Sequence, residues 1–382
     1  MASKHPAANA RSTVWIGLLG FLFLAAIICL QTGDRVFRGW NDFAQIYAGA
    51  RLSGTPQLYS REANYQLIGE QIGTTLGGVI CTRLPYYFIL LKPLGWMSYR
   101  WAYLAFLFLN FAALAGFVFL ARRWLPEAVL FIGWSIPVVM ALATGQDSLL
   151  LLFCAACAVY LYQKEHPFAA GLLLSLGSIK PQLFIFVPLF LMIRRDWKVL
   201  RGGLAGGLLQ MAISFAAQGA TWPREFAAVL ASPEINPGLG YMPNLRGAAF
   251  ALAGGDIAPV WLVLYAVAAI GCGLILFRKP SFETGISWAL VCGLLVSHHA
   301  YIQDLALLLL PFVLIASQSK SYPIRALLTL AVTPLPCLLV LTKPPYNAVL
   351  PAMLLAAVAI QAVSSGDPNA EPSSHALNKY AY

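Results

Sequence analysis

The sequence is short of charge. Only 10% of its residues are Asp, Glu, Lys or Arg, against about 25% in a soluble globular chain. With 59% hydrophobic residues and a mean hydropathy of +0.72, there is too little polar surface to cover a water-soluble particle. The surplus apolar area must face lipid. Acidic residues are scarcer still, 15 against 25 basic ones. The basic residues nonetheless form no run interleaved with aromatics, so the +10 charge does not indicate a nucleic-acid partner. Disulfide signals are also lacking. Of the seven cysteines, Cys29, Cys154, Cys157, Cys272, Cys292 and Cys337 lie in apolar runs and only Cys81 falls in a polar stretch. Cys154 and Cys157 form a CxxC inside a lipid-length segment with no other ligand nearby, which reads as helix packing rather than a redox or metal site. No small-x-small cleavage site follows the first apolar run, Val14 to Leu30, so that run is expected to stay as an uncleaved helix.

What the chain does have is apolar runs of membrane length. A spanning helix needs about 20 residues, with about 17–25 tolerated. Hydropathy places segments near 13–31, 101–121, 127–144, 148–163, 167–179, 182–193, 200–217, 257–277, 284–299, 302–316, 323–341 and 347–363. The expected fold is therefore all-α and polytopic, with about 12 spans. Residues 1–363 form one transmembrane domain and the polar stretch 364–382 a disordered cytoplasmic tail. The segments 167–179 and 182–193 are short for spans and read as broken helices lining a cavity.

Short basic loops set the orientation. Arg122 and Arg123, Lys164, Arg194 with Arg195 and Lys198, Arg278 with Lys279, and Lys320 with Arg325 share one side if the spans alternate, and Lys4 and Arg11 share it too. The positive-inside rule makes that side cytoplasmic. Both termini are then inside a plasma (inner) membrane, and two long loops, 32–100 and 218–256, face outward. The first loop carries an amphipathic stretch, Phe43 to Leu58, and an apolar stretch of about 13 residues, PYYFILLKPLGWM. The latter is too short to span and reads as interfacial or re-entrant.

Asp42 sits about ten residues beyond the first segment, among Trp40, Phe43, Tyr47 and Tyr59. Aromatic neighbours lower the local dielectric and raise a carboxylate's basicity; an interfacial aromatic belt with an incidental Asp fits the same residues. Spacing alone leaves both readings open.

Five segments in consistent order sharpen the picture. DFAQIYAGARL, TGQD at 144–147, GLLLSLGSIKPQ at 171–182, MPNLRG at 242–247 and SHHAYIQDLALLLLP at 297–311 resemble glycosyltransferase family 87, of the GT-C superfamily of membrane transferases. The resemblance runs from about residue 30 to residue 315. It implies a GT-C-like fold, an outward-facing site, a polyprenyl-phosphate sugar donor and inversion at the anomeric carbon. The sugar would be a hexose, mannose in the first instance. In that family the first-loop aspartate is the general base, which falls on Asp42, with Tyr47 one turn further on. Gln146 matches the glycine–glutamine turn, next to Asp147. Lys180 matches the lysine before proline, with Gln182 beside it. Arg246 lies in the second long loop, His298 and His299 at the histidine element, and Asp304 just after it. Two departures stand out: the family's tyrosine–proline–proline reads Leu84-Pro85-Tyr86, and the proline before its histidine is His298.

The chemistry suits these roles. Phosphate leaves a sugar as a stable anion, so transfer needs a base for the acceptor hydroxyl and little acid help, unlike glycosidic hydrolysis. Each residue also has a plainer rival reading. Lys180 would cost about 2.5–3.5 kcal/mol at mid-membrane and is able to snorkel; Asp147 is placed to cap the helix that begins at Ser148; the two histidines suit an interface. Asp304 lies inside an apolar run and requires a partner, His299 or Arg246. With no close acidic pair at the outer face, no metal and no other cofactor is expected. The partners are the lipid-linked donor, a lipid or glycan acceptor and membrane lipids. The competing readings are a secondary transporter or lipid flippase, which broken helices with buried charges also suit, and a noncatalytic assembly subunit.

Overall fold

The computed structural model describes residues 6–72, 81–232, 238–340, 342 and 345–364. Lys4 of the basic leader and the polar tail beyond Ser364 lie outside the described residues. Within them every regular element is helical.

Each expected segment falls on helix, but twelve full spans do not result. Among the described residues five helices are long and apolar enough to cross a membrane: Ser12–Gly33, Tyr99–Trp124, Trp197–Gln218, Ala258–Phe277 and Tyr346–Ser364. A sixth span exists if Tyr322–Ala331 and Pro334–Val340, bent by 57°, are taken together. The others are shorter: Ser148–Gln163 and Phe282–Val296 are continuous helices of 16 and 15 residues, and elsewhere hydropathy registers an apolar run but not the breaks within it. The run 127–144 breaks at Trp134, and its second half, Ile136–Ala143, opens on Pro137, which has no N–H to give to a preceding turn. The run 167–194 breaks at Lys180. There Pro167–Leu174 tightens into a 3₁₀ turn, Ser175–Ile179, and Pro181 holds Lys180 out of helical backbone, φ −132° and ψ 70°. The break expected between these two short segments is thus real, and a charged residue occupies it.

The first long loop is helical over much of its described length. Its helices are Phe43–Leu52, Arg61–Ile72, Pro85–Leu90 and Lys92–Gly95. The apolar stretch after Arg83 does not span. It folds into two short turns pinned to the Trp197–Gln218 helix, where Ser214 Oγ accepts the Tyr86 N–H at 3.1 Å. The two long loops also meet each other. Gln218 bridges Gly54 N (2.6 Å) and Thr55 O (2.8 Å), Arg61 donates to Ser232 Oγ (3.1 Å), and the Tyr59 and Phe226 rings lie 5.6 Å apart. They therefore occupy one end of the bundle.

The basic loops gather at the other end. Arg194 donates to Asp196, to the Tyr162 hydroxyl and to the Pro280 carbonyl. Gln163 joins Trp124 to Glu283, and the rings of Tyr162 and Phe282 stack at 3.7 Å.

Candidate active site

The first loop is tied to the 144–147 turn by Asn41. Its side-chain amide donates to the Ala143 carbonyl at 2.8 Å, and its side-chain oxygen accepts the Phe43 N–H at 3.1 Å. Gly145 makes this approach possible. Its φ is +63°, and a Cβ there would stand 2.7 Å from the Phe43 Cβ. The contact brings Gln146 onto Asp42, the amide Nε2 donating to Oδ2 at 2.8 Å. Asp42 precedes the Phe43–Leu52 helix without capping it through its side chain. Among the described residues no donor is directed at its Oδ1. The carboxyl is half-buried, and its pKa is raised: burial outweighs the opposing pull of Gln146, Lys180 and Arg83.

Lys180 is the hub beneath. Only 3% exposed, its Nζ lies 2.6 Å from Asp304 Oδ1, 2.9 Å from Asp147 Oδ1, 2.9 Å from Ser148 Oγ and 3.2 Å from Gln146 Oε1. Ser148 in turn donates to Asp304 Oδ1 at 2.8 Å, and the Tyr301 N–H donates to Asp304 Oδ2 at 3.0 Å. Arg83 closes the cluster on the far side of Asp147, its Nε at 3.0 Å from Oδ2. Asp304 therefore does have a charged partner, Lys180, with His299 within electrostatic range as well. It sits in a 3₁₀ turn, Ile302–Leu308, and not inside an α-helix. Lys180 does not snorkel, and Asp147 makes no side-chain cap to its helix; its carboxylate is spent on the two cations. Two cations and two carboxylates balance, leaving Asp42 as the extra negative charge on this side.

A second polar group forms the rim. Asn244 caps the Leu245–Ala253 helix by accepting the Gly247 N–H and holds the Ser297 carbonyl at 2.7 Å. Arg246, on that helix, pairs with Asp256 at 2.7 Å, donates to His298 Nε2 at 2.7 Å and lies 5.7 Å from the Trp261 ring centre. His298 is exposed and His299 half-buried. The His299 backbone carbonyl accepts from Gln182 Nε2 at 3.3 Å, and its ring meets Tyr301 edge-on at 4.8 Å. Burial pulls the His299 pKa down to about 4, so the ring is neutral at pH 7. Tyr301 lies within electrostatic range of Asp42, Asp304 and Arg246, which joins rim to hub.

Asp42, Gln146, Asp147, Lys180 and Asp304 thus come together directly, and His299 and Arg246 lie next to them. Tyr47 does not join them. It is buried in the aromatic wall behind, its hydroxyl donating to the Met97 carbonyl at 3.0 Å and its ring 5.0 Å from Tyr99. Tyr59 likewise packs away from Asp42, on Phe226. Sequence reasoning missed Arg83, Ser148 and Asn244. Arg83 was findable as the lone charge opening an otherwise apolar stretch; the other two carry no signal apart from their neighbours in the motifs. Cys154 and Cys157 are free, and among the described residues no three His, Cys, Asp or Glu side chains are grouped to hold a metal.

A helical membrane protein with a charged site set where its two long loops meet is the class that this fold defines. A scan against family models matches residues 85–300, more than half of the chain, to glycosyltransferase family 87. The chain belongs to that family and is a membrane glycosyltransferase, which sets aside the transporter reading. Neither a search of curated proteins nor one of solved structures returns a match.

Proposed function

We propose that the chain is an inverting, GT-C-like glycosyltransferase that moves a hexose, mannose in the first instance, from polyprenyl phosphate to a lipid or glycan hydroxyl. The carrying observation is Asp42: a half-buried carboxylate with raised basicity, one oxygen held by Gln146 and the other, among the described residues, without a donor. In this reading the acceptor hydroxyl gives its proton to Asp42 while its oxygen bonds to the anomeric carbon. The bond from that carbon to the phosphate oxygen breaks on the opposite face, and the electron pair leaves with the phosphate. Charge building on the phosphate is met at the rim by Arg246, with His298 and His299 shaping the approach. Lys180 is a poorer candidate for that task, because its own charge is already met by two carboxylates. The reaction is proposed to run outside the plasma membrane and without a metal or other cofactor.

The test is transfer of labelled sugar from polyprenyl phosphate by the purified chain, with EDTA present and absent. Asp42→Asn is expected to lower kcat by about 10²–10⁴, the usual worth of a general base, with donor binding kept. Wild-type rates in that variant would remove Asp42 from the chemistry, and loss of transfer in EDTA would bring a metal into it.

A further inference from the structure

We infer that Gln146 and Lys180 are positioning residues for Asp42, not substrate contacts: Lys180 locks the Gln146 amide so that its NH₂ holds Oδ2 and leaves Oδ1 as the proton-accepting oxygen. The inference rests on the reading of Asp42 as the base.

The donor count of Lys180 is the first support. An ammonium has three N–H donors, and four oxygens, from Asp304, Asp147, Ser148 and Gln146, already lie within 2.6–3.2 Å of Nζ. None is left for an incoming phosphate, and the group is 3% exposed. The second support is the amide itself. Gln146 offers a carbonyl oxygen and an NH₂ at opposite ends, and the two neighbours demand opposite things. Turned as found, the oxygen faces the ammonium at 3.2 Å and the NH₂ faces the carboxylate at 2.8 Å. Turned over, the NH₂ would face the ammonium and the oxygen the carboxylate, two repulsions where two attractions stood. The buried charge thereby fixes the amide, and the amide fixes one edge of Asp42. A third support is where Lys180 sits. The break before Pro181 removes it from regular helix and directs it at the start of the Ser148–Gln163 helix, which carries Asp147 and Ser148.

Burial raises the basicity of Asp42, and the relay tempers that rise. The groups that act on it are Gln146 and the cations Lys180 and Arg83, which favour the carboxylate, and Asp304, which opposes it. Removing the Gln146 hydrogen bond therefore raises the pKa of Asp42, and the acid limb of the rate profile moves to higher pH. A packing defect lowers the amount of active protein and leaves that limb where it was.

The experiment measures kcat, donor KM and the pH profile of the purified full-length chain as wild type, Gln146→Leu, Gln146→Glu, Asp42→Asn and the charge-balanced double variant K180M/D304N. In Gln146→Leu, kcat is expected to fall about 10-fold or more, the equivalent of about 1.4 kcal/mol, with donor KM nearly unchanged and the acid limb moved upward. Gln146→Glu brings a like charge to Asp42 and moves the limb further. K180M/D304N removes one buried cation with one buried anion and is expected to follow Gln146→Leu in kcat, KM and limb. A raised donor KM with an unmoved limb, in either Gln146→Leu or the double variant, makes these residues substrate contacts and overturns the inference. If the double variant does not fold, the two Gln146 variants decide. An inactive Asp42→Asn beside a Gln146→Leu with an unmoved limb sinks the relay and leaves the base standing; an active Asp42→Asn sinks both.

Discussion

A lysine enclosed by two carboxylates is an expensive thing to build in an apolar bundle. Stripping one partner from such a buried pair costs about 3–5 kcal/mol, because a charge is left without compensation. The Lys180 cluster spreads that cost across Asp147, Asp304 and Arg83 and keeps the net charge at zero before Asp42 is added. Asp42 is then the residue whose ionisation is open to control. Burial holds its pKa above the usual carboxylate value of about 3.9. On the proposed mechanism transfer uses the ionised form, so the rate is expected to fall as pH drops through this raised value, with the acid limb of kcat/KM above the ordinary carboxylate range. His299 contributes nothing near its usual value of about 6.5, since burial keeps it neutral down to about pH 4. The expected result is that His299→Gln leaves the acid limb in place, whatever it does to the rate itself. A limb that moves or vanishes in that variant would give His299 the protonic role assigned to Asp42.

At the scale of elements, the site depends on helices that approach more closely than side chains allow. Within lipid there is no hydrophobic force between helices, and close packing of small residues takes its place. The Pro167–Leu174 and Trp197–Gln218 helices show this. A Cβ on Gly171 would overlap the Val199 carbonyl, and one on Gly202 the Phe168 carbonyl. The 3₁₀ turn that delivers Lys180 continues directly from the first of these helices and is held to the second through Gln210, which bonds Ser175 and Ser178. Gly202→Leu is therefore expected to destabilise by about 1–3 kcal/mol or more, as overpacking does, and to lower transfer by displacing Lys180. Gly207→Leu, a site with open space around it, is the matched control. Equal melting of the two variants in detergent would count against close packing here.

The same elements show what the sequence made legible. Apolar runs located the helices, and the Lys180-Pro181 pair marked the break between two short ones. The motifs located five of the residues that meet at the hub. The count of spans was not legible, because a proline or a 3₁₀ turn inside an apolar run leaves its hydropathy unchanged while cutting its length. Nor were pairings. Asp304 demanded a partner, and the sequence offered His299 and Arg246; that Lys180, 124 residues away, meets it is seen only in the fold. Arg83 was visible as a charge opening an apolar stretch, but its pairing with Asp147, 64 residues away along the chain, was not.

On the scale of the whole molecule, the charged site and the basic loops lie at opposite ends and the helices between them measure the separation. Asp147 precedes the Ser148–Gln163 helix and Gln163 ends it; 16 residues at about 1.5 Å each put about 24 Å between hub and basic end. Two neighbours repeat the pattern: Glu283 opens the Phe282–Val296 helix and Ser297 follows it, and Pro181 lies near Lys180 while Arg194 meets Asp196 and the Pro280 carbonyl. If the end with the basic loops faces the cytosol, as the positive-inside rule requires, the long loops and Asp42 face outward, and the lipid-linked donor proposed above would enter from the outer leaflet. Orientation is measurable with single reporter cysteines in a background freed of the native ones. Arg224→Cys, exposed on the second long loop, is expected to react with a membrane-impermeant maleimide in intact cells. Lys164→Cys, exposed at the basic end, is expected to react only after permeabilisation. The reverse pattern would place Asp42 in the cytosol and require a donor presented from the inner leaflet, leaving the buried relay intact but turning the enzyme to face the other way.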